Sequence, residues 1–448
     1  MRNLMFELRL VLQSRLAAGA LALLMLLSAL SVWSGLQAGA AQRAALERIA
    51  ATQRAEVAAI AAKYADGGDA GQAAYSTPHL TVNPPSPLAF AALGQRDLQP
   101  YSLRVRLLGL QSQLYESESI NPELAMAGRF DFAFLLVYLA PLFVIALMHD
   151  LISGEREAGR LRLLASLPAA TGRLWRRRIG LRYALVWLAA LAPLAAGGAL
   201  AGAEAAGLAG VALVASLYLA FWFGVTAWVA GHARGSAASA AILLAALVGL
   251  TMVLPTLADA AIARLVPVSK GVELALAQRQ AVHQGWDVPK TATFAQFFRT
   301  HPEWRDTPPV TGRFHWKWYY AMQQVGDQAV ADEVARYRAS LREREDWTGR
   351  AGTLLAPVAV QVLLHRLADT DLRGQLAYQE RIADFHTRLR KFFYPYIFEE
   401  RPFSPRDFAR MPSFGASEAR AELPAGPLAA LGLMAMLALA LGLRRVAH

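Results

Sequence analysis

The chain contains no cysteine. That excludes a disulfide framework, a thiolate metal site and redox chemistry at sulfur, so any part outside the cytosol must fold on packing alone. Charge is scarce: Asp, Glu, Lys and Arg make up 18% of the 448 residues, against 55% hydrophobic. This is more apolar material than one soluble core of that length needs. Catalytic signatures are missing as well. There is no G-x-x-x-x-G-K-[ST] phosphate loop, no H-E-x-x-H, and no G-x-S-x-G at a strand-to-helix turn. The apolar stretches hold essentially no paired His, Asp, Glu or Lys. An intramembrane hydrolase would need such pairs, because ionisable groups in hydrocarbon are costly and usually functional. The chain therefore reads as a non-enzyme, and any ATP it uses must be hydrolysed elsewhere. Its formal net charge of +11 does not indicate nucleic acid, which requires basic residues gathered on one soluble face. Here they lie mostly beside apolar segments.

A hydrocarbon core about 30 Å thick is crossed by about 20 helical residues. Six stretches qualify: residues 16–36, 132–148, 183–203, 208–230, 237–257 and 426–443. Pro193 and Pro255 sit inside or near the ends of these spans, which membrane helices tolerate when neighbours re-satisfy the freed carbonyls. Lys and Arg in short loops set orientation. Arg2, Arg9 and Arg15 precede the first span. Arg156, Arg160, Arg162, Arg173, Arg176, Arg177, Arg178 and Arg182 follow the second, Arg234 follows the fourth, and Arg444 and Arg445 follow the sixth. With six spans all of these lie on one side, and the turn at Glu204 on the other side has no basic residue. The expected fold class is a mainly α, polytopic membrane protein with six transmembrane helices and both termini cytoplasmic. A cleaved signal peptide ending near Ala38-Gly39-Ala40 fits only loosely, because the first apolar stretch is long for a signal core.

The spans divide the rest of the chain. Residues 1–15 read as an interfacial elbow helix, with Leu4, Leu8, Val11 and Leu12 on one face and Asn3, Glu7 and Ser14 elsewhere. Residues 37–131 form a first extracytoplasmic insertion. It begins with a helix continuing outward from the first span (Arg43, Glu47, Ile49, Arg54, Glu56, Val57, Ile60), broken at Asn83-Pro84-Pro85-Ser86-Pro87, with one short strand expected in 101–110. Residues 149–182 form a cytoplasmic loop, 183–257 hold the third to fifth spans, and 258–424 form a second, mainly helical insertion. Residues 425–443 are the sixth span and 444–448 a cytoplasmic tail. Trp304, Phe314, Trp316, Trp318, Tyr319 and Tyr320 either line a substrate path or form a small core and interfacial belt, the second being the more ordinary outcome. His283, His301 and His315 match no local metal-ligand spacing, so no metal site is expected.

Mechanism is concentrated in residues 128–168. Arg129 and Asp131 stand at the outer mouth of the second span, as a gating or a structural pair. Glu155, Arg156 and Glu157 begin a charged helix beyond its inner end, with Leu161, Leu164 and Leu167 at three-residue spacing. From pattern alone this is a surface helix laced by ion pairs, or a lever that packs on a partner.

These residues also carry a resemblance. Ser153, Glu155-Arg156-Glu157, Gly159, Leu161, Leu163-Leu164, Ser166 and Pro168 resemble the cytoplasmic signature of the type-2 (ABC-2) exporter permeases. Pro87-Leu88-Ala89, Gly94-Gln95-Arg96-Asp97 and Pro100-Tyr101 are similar to the first insertion of the subgroup with large extracytoplasmic insertions of unknown function, and Asn121-Pro122 followed by Gly128-Arg129-Phe130-Asp131 resembles its entry into the second span. Leu355-Ala356-Pro357 through Gln361, Leu367-Ala368-Asp369-Thr370-Asp371, and Phe385-His386 to Phe392-Phe393 with Pro395 are similar to its second insertion. The match departs at Arg160, where the family usually has Thr. The resemblance implies a permease subunit of an ATP-driven exporter in a bacterial inner membrane. Glu155, Arg156, Glu157, Gly159, Leu161, Leu164 and Pro168 would then dock on a separate cytoplasmic ATPase, which holds the ATP and Mg. A second permease, identical or similar, membrane lipid, and a periplasmic or outer-membrane protein would be further partners. The competing reading is a non-transporting scaffold or receptor whose extracytoplasmic segments bind protein.

Overall fold

The computed structural model describes residues 2–115, 129–165, 171–415 and 423–447. The chain opens with α1 (Arg2–Gln13), followed by α2 (Arg15–Ala62). Ser14 separates them, its hydroxyl accepting from the Ala17 N–H at 3.4 Å as the N-cap of α2. The 48 residues of α2 span about 72 Å at 1.5 Å per residue, more than twice an apolar slab of about 30 Å. Its polar second half thus stands clear of the apolar first half as one continuous rod, as the sequence predicts. After α2 come α3 (Ala70–Ser76), β1 (His79–Val82), β2 (Ser102–Val105) and α4 (Leu110–Leu114). The strand expected in 101–110 is β2. Its antiparallel partner β1, with His79 opposite Val105 and Val82 opposite Ser102, alternates polar and apolar over only four residues, too short a run to be singled out in the sequence.

The second apolar stretch is built from α5 (Phe132–Phe134), a π-helical turn at Leu135–Leu139, and α6 (Ala140–Met148). The wide turn has a cause: Pro141 supplies no N–H and its ring crowds the carbonyl four residues earlier. That carbonyl, on Val137, accepts instead from the buried Tyr218 hydroxyl at 3.0 Å. A π-helical turn likewise precedes Pro255. After α7 (Ser153–Glu157), α8 (Leu161–Ala165), α9 (Thr171–Ala201) and α10 (Ala205–His232), the helix α11 (Ser236–Val248) passes through a π turn at Gly249–Val253 into α12 (Leu254–Leu265). The remaining helices are α13 (Gly271–Gln284), α14 (Lys290–Thr300), α15 (Trp316–Ala329), α16 (Ala331–Gly352), α17 (Ala356–Ala368), α18 (Leu372–Phe398), α19 (Pro405–Arg410) and α20 (Ala425–Ala447).

Among the described residues, six helices are long and apolar enough to cross a membrane: Arg15–Ala62, Phe132–Glu157, Gly172–Ala201, Ala205–His232, Ser236–Leu265 and Ala425–Arg445. Two outrun their hydropathy. α9 starts well before residue 183 because arginine is a good helix former that can splay its head outward from a helix end. α12 continues past 257 as an exposed amphipathic extension.

The charged helix expected after the second span is interrupted. α7 ends in a Schellman turn: Gly159 adopts φ +71°, its N–H donates to the Arg156 carbonyl (3.0 Å) and the Arg160 N–H donates to the Glu155 carbonyl (2.9 Å). Glycine tolerates this left-handed geometry without a Cβ penalty. Leu161 and Leu164 therefore belong to a separate turn of helix.

Two cores result. The first joins the long apolar helices with Leu88–Ala92 from the first insertion and with α17 from the second. Apart from those segments, the other gathers side chains between Tyr64 and Tyr115 and between Leu274 and Phe408 into one unit, so segments far apart in sequence share a core. The strip 86–93 joins the two. The Ala133 N–H donates to the Ala91 carbonyl (2.9 Å), the Thr370 hydroxyl to the Ala92 carbonyl (2.9 Å), and the Ser86 hydroxyl to the Ala368 carbonyl. A Cβ at Gly35 would fall 2.0 Å from the Phe90 carbonyl oxygen, so only glycine lets this strip lie against α2. The aromatics of the second insertion mostly form its core: Trp318 and Tyr320 are buried, Trp304 and Trp316 pack against the same cluster, and Phe314 remains exposed.

Two expectations follow. α20 lies against α10 through facing glycines: a Cβ at Gly224 would meet the Ala438 carbonyl carbon at 2.4 Å, and one at Gly442 the Gly224 oxygen at 2.5 Å. Gly224→Val is expected to cost about 3 kcal/mol by overpacking and to expose the last helix to protease in detergent.

The second core is acid-labile by construction. His79 is buried with Nε2 unpartnered, edge-on to Phe385 and Phe393, and burial pushes it down to about 4. His386, bonded to the Arg106 carbonyl at 3.0 Å, is likewise held well below the usual histidine range by burial. A histidine depressed in the folded state leaves the unfolded chain to take the proton first. Stability present at neutral pH is thus lost as pH falls from about 6.5 toward 4, by roughly 3 kcal/mol for His79. Thermal unfolding from pH 7 to pH 5 should show this loss, and His79→Phe should flatten it.

Candidate functional site

One end of the helix bundle collects α1, the α6–α9 connection, the α10–α11 corner and the last turn of α20, where Arg445 packs on Gly231. The residues Glu155, Arg156 and Glu157 meet three other helices there. Glu155 is half-buried, and its two oxygens accept from Arg178 Nη1 of α9 (2.9 Å) and Arg160 Nε (2.7 Å). Arg178 Nε also donates to Glu7 of α1 at 3.2 Å, and its guanidinium lies 5.3 Å from the Trp175 ring centre. Arg156 Nη1 donates to the carbonyls of Ala233 (3.0 Å) and Arg234 (3.1 Å), at the C-terminus of α10, where the helix dipole favours a cation. Glu157 accepts the Ser236 N–H at 2.8 Å, at the N-terminus of α11, where the dipole favours an anion. Ser153 and Ser236 join their hydroxyls at 2.8 Å beneath them.

Three consecutive side chains thus hold α9, α10 and α11, and through Arg178 also α1. Their backbone faces the other way: residues 156–160 are exposed, and Leu163 is 69% exposed. Leu161 packs against the first core and Leu164 is half-buried. Pro168, with Ser166, Leu167, Asn121, Pro122 and Gly128, lies outside the described residues. The arrangement is a surface strip anchored from below to the ends of four helices, able to pass a displacement to all of them.

The elbow helix corrects one expectation. Glu7 is buried rather than set on a solvated face, because Arg178 gives its carboxylate a partner. Met5, Phe6, Leu10 and Leu12 form the exposed side, and Val11 joins Glu7 in the buried one. Glu7 and Arg178 went unselected in the sequence, although one acid in an amphipathic helix beside an arginine-rich loop was the available signal.

Arg129 and Asp131 lie at the opposite end. Asp131 is buried and accepts from the Phe134 N–H as N-cap of α5 and from the Leu93 N–H, both at 2.8 Å, tying the joining strip to the second apolar helix. Arg129 is exposed. Among the described residues no three His, Cys, Asp or Glu converge as metal ligands. His301 stacks on Phe297, and His315 accepts the Lys317 N–H as N-cap of α15.

The chain is a mainly α-helical, polytopic membrane protein by the length and apolarity of its helices. Residues 272–417, from α13 through α19, match the family described as a domain of unknown function (DUF3526). No curated protein and no solved structure matches the chain.

The ionic chain offers a direct measurement. Glu155→Gln and Arg178→Met, alone and combined, should give a coupling energy of about 1 to 2 kcal/mol in thermal unfolding in detergent, because both side chains are largely withdrawn from water.

Proposed function

We propose that this chain is the transmembrane permease subunit of an ATP-driven exporter, moved by a separate nucleotide-binding subunit docked on residues 155–168. The observation that carries the reading is the strip above: exposed on its outer side, and bonded on its inner side to the ends of α1, α9, α10 and α11. A partner pressing on Arg156 to Leu163 acts on four helix ends at once, which a coupling element requires. The resemblance of Ser153 to Pro168 to ABC-2 permeases supplies the partner's identity.

In this reading the strip, both termini and the arginine-rich loop are cytoplasmic, as the Lys and Arg bias favours. Residues 37–131 and 258–424 together form one periplasmic body. Two permeases and two ATPases assemble. ATP, with Mg on the partner, closes the ATPases, the strips move, and the spans exchange inward-open and outward-open states. The drive comes from the difference in contact free energy between those states. The chain itself contributes no phosphate chemistry.

The test is co-purification from the native membrane in mild detergent, followed by an assay of ATP hydrolysis. Wild type should bring down an ATPase. Leu163→Glu should lose it while melting at the wild-type temperature, and Glu155→Ala with Glu157→Ala should reduce its recovery or activity. Folded wild type that never recovers an ATPase would replace the exporter with the scaffold.

A further inference from the structure

α1 and the first turns of α2 do not close fully against α6 and α9. A cavity of about 610 Å³ lies between them, at the same end of the bundle as the strip. Much of its wall is apolar, from Leu10, Val11, Leu16 and Ala17 on one side and Leu147 and Leu181 on the other. Val11 is buried, whereas Leu10 and Leu16 are exposed, so the apolar wall runs out to the surface of the bundle.

The charges inside sort into two groups. Glu7, Arg178 and Glu155 line the cavity and, with Arg160 outside it, form one connected chain, two carboxylates bonded to two guanidiniums. That chain is internally balanced. Arg182 and Asp150 remain. Nη1 of Arg182 is buried without an acceptor, and Asp150 is exposed and acts on Arg182 electrostatically, with no hydrogen bond or ion pair joining the two. The neighbouring His149 spends its Nδ1 on the carbonyls of Ile145 and Ala146.

A buried guanidinium N–H without an acceptor carries an uncompensated desolvation cost. An anion in the cavity relieves it once the Arg182 side chain, which lines the wall, turns to meet it, and phosphate matches guanidinium geometry. A single anion would leave Asp150 facing added negative charge, whereas a ligand with its own ammonium satisfies both groups. The apolar wall requires that this ligand carry hydrocarbon.

We propose that this cavity binds a zwitterionic aminophospholipid, with its phosphate on Arg182, its ammonium on Asp150 and its upper acyl chain along Leu10, Leu16 and Leu181. The assignment rests on the six apolar helices crossing a membrane and is independent of export. The bound lipid would wedge α1 against α9 beside the Glu7–Arg178 pair, so the elbow helix would be seated by lipid as well as by protein.

The test uses the full chain, delipidated in mild detergent and titrated by native mass spectrometry with palmitoyl-oleoyl phosphatidylethanolamine, phosphatidylcholine and phosphatidylglycerol, with soluble phosphoethanolamine as competitor. Phosphatidylethanolamine should bind about tenfold tighter than phosphatidylcholine, whose trimethylated nitrogen has no N–H to donate. Arg182→Gln should weaken its binding about tenfold, the loss of one charge-assisted contact, and Asp150→Asn should erase the headgroup preference. Ala17→Phe, which fills the apolar wall and leaves every charge in place, should also lower retention, and it decides the matter if Arg182→Gln does not fold. Unchanged lipid retention in Arg182→Gln, or in Ala17→Phe, overturns the site. Equal or tighter binding of phosphatidylglycerol overturns the zwitterion, and displacement by phosphoethanolamine at equal concentration overturns the lipid.

Discussion

The structure depends on one constraint: in an apolar surrounding every backbone N–H and C=O must find its partner within the protein. Long unbroken helices satisfy it by themselves, and each departure has a local remedy. Pro141 costs the Val137 carbonyl its helical donor, the turn widens, and the buried Tyr218 hydroxyl takes the donor's place. The same demand explains why the helix ends at the crowded face are capped in trans. Arg156 meets the carbonyls ending α10, and Glu157 meets the N–H opening α11. Groups that a helix leaves unpaired at its termini are thus used to fasten a surface strip to the bundle.

At the opposite end the problem is mechanical. A helix of 48 residues cannot stay within the bundle, and its polar half becomes a post on which the second unit is assembled. That unit draws its core from both long insertions. The strip 86–93 and α17 lock it to the bundle through Ala91, Ala92, Asp131 and Thr370. Because α17 is part of the first core, a change in the spacing of the apolar helices must be felt in the second unit. In the exporter reading, the coupling strip and the periplasmic body lie at the two ends of one packed column.

Much of this was legible beforehand. The apolar stretches, the outward run of α2 and the break at the Asn83 to Pro87 segment follow from local pattern, because helix periodicity and hydropathy are properties of neighbouring residues, whereas Glu155, Arg156 and Glu157 were singled out by the resemblance. What escaped depends on remote partners. Glu7 reads as a solvated acid until Arg178, 171 residues on, is placed beside it. Residues 79–82 alternate polar and apolar over only four positions, too short a run to stand out, and β1 is held because Ser102 to Val105 offers it a ladder. Asp131 reads equally well as a gate or a cap until the Leu93 N–H is seen to donate to it. The run from Glu155 to Leu167 reads as one helix, whereas Gly159 has a free choice of backbone conformation that the Schellman turn resolves.

The sequence by itself determined the class of protein: helices long enough and apolar enough to cross a membrane, no cysteine chemistry, no phosphate loop, and positive charge beside one set of helix ends. These follow from composition and from patterns within about 20 residues. The tertiary structure alone decided that two distant insertions share one core, that three consecutive charged residues clamp four helices, and that Arg182 and Asp150 share a cavity lined with leucine. Those facts arise because burial brings remote groups together, and a charge withdrawn from water takes its meaning from whatever the fold places beside it.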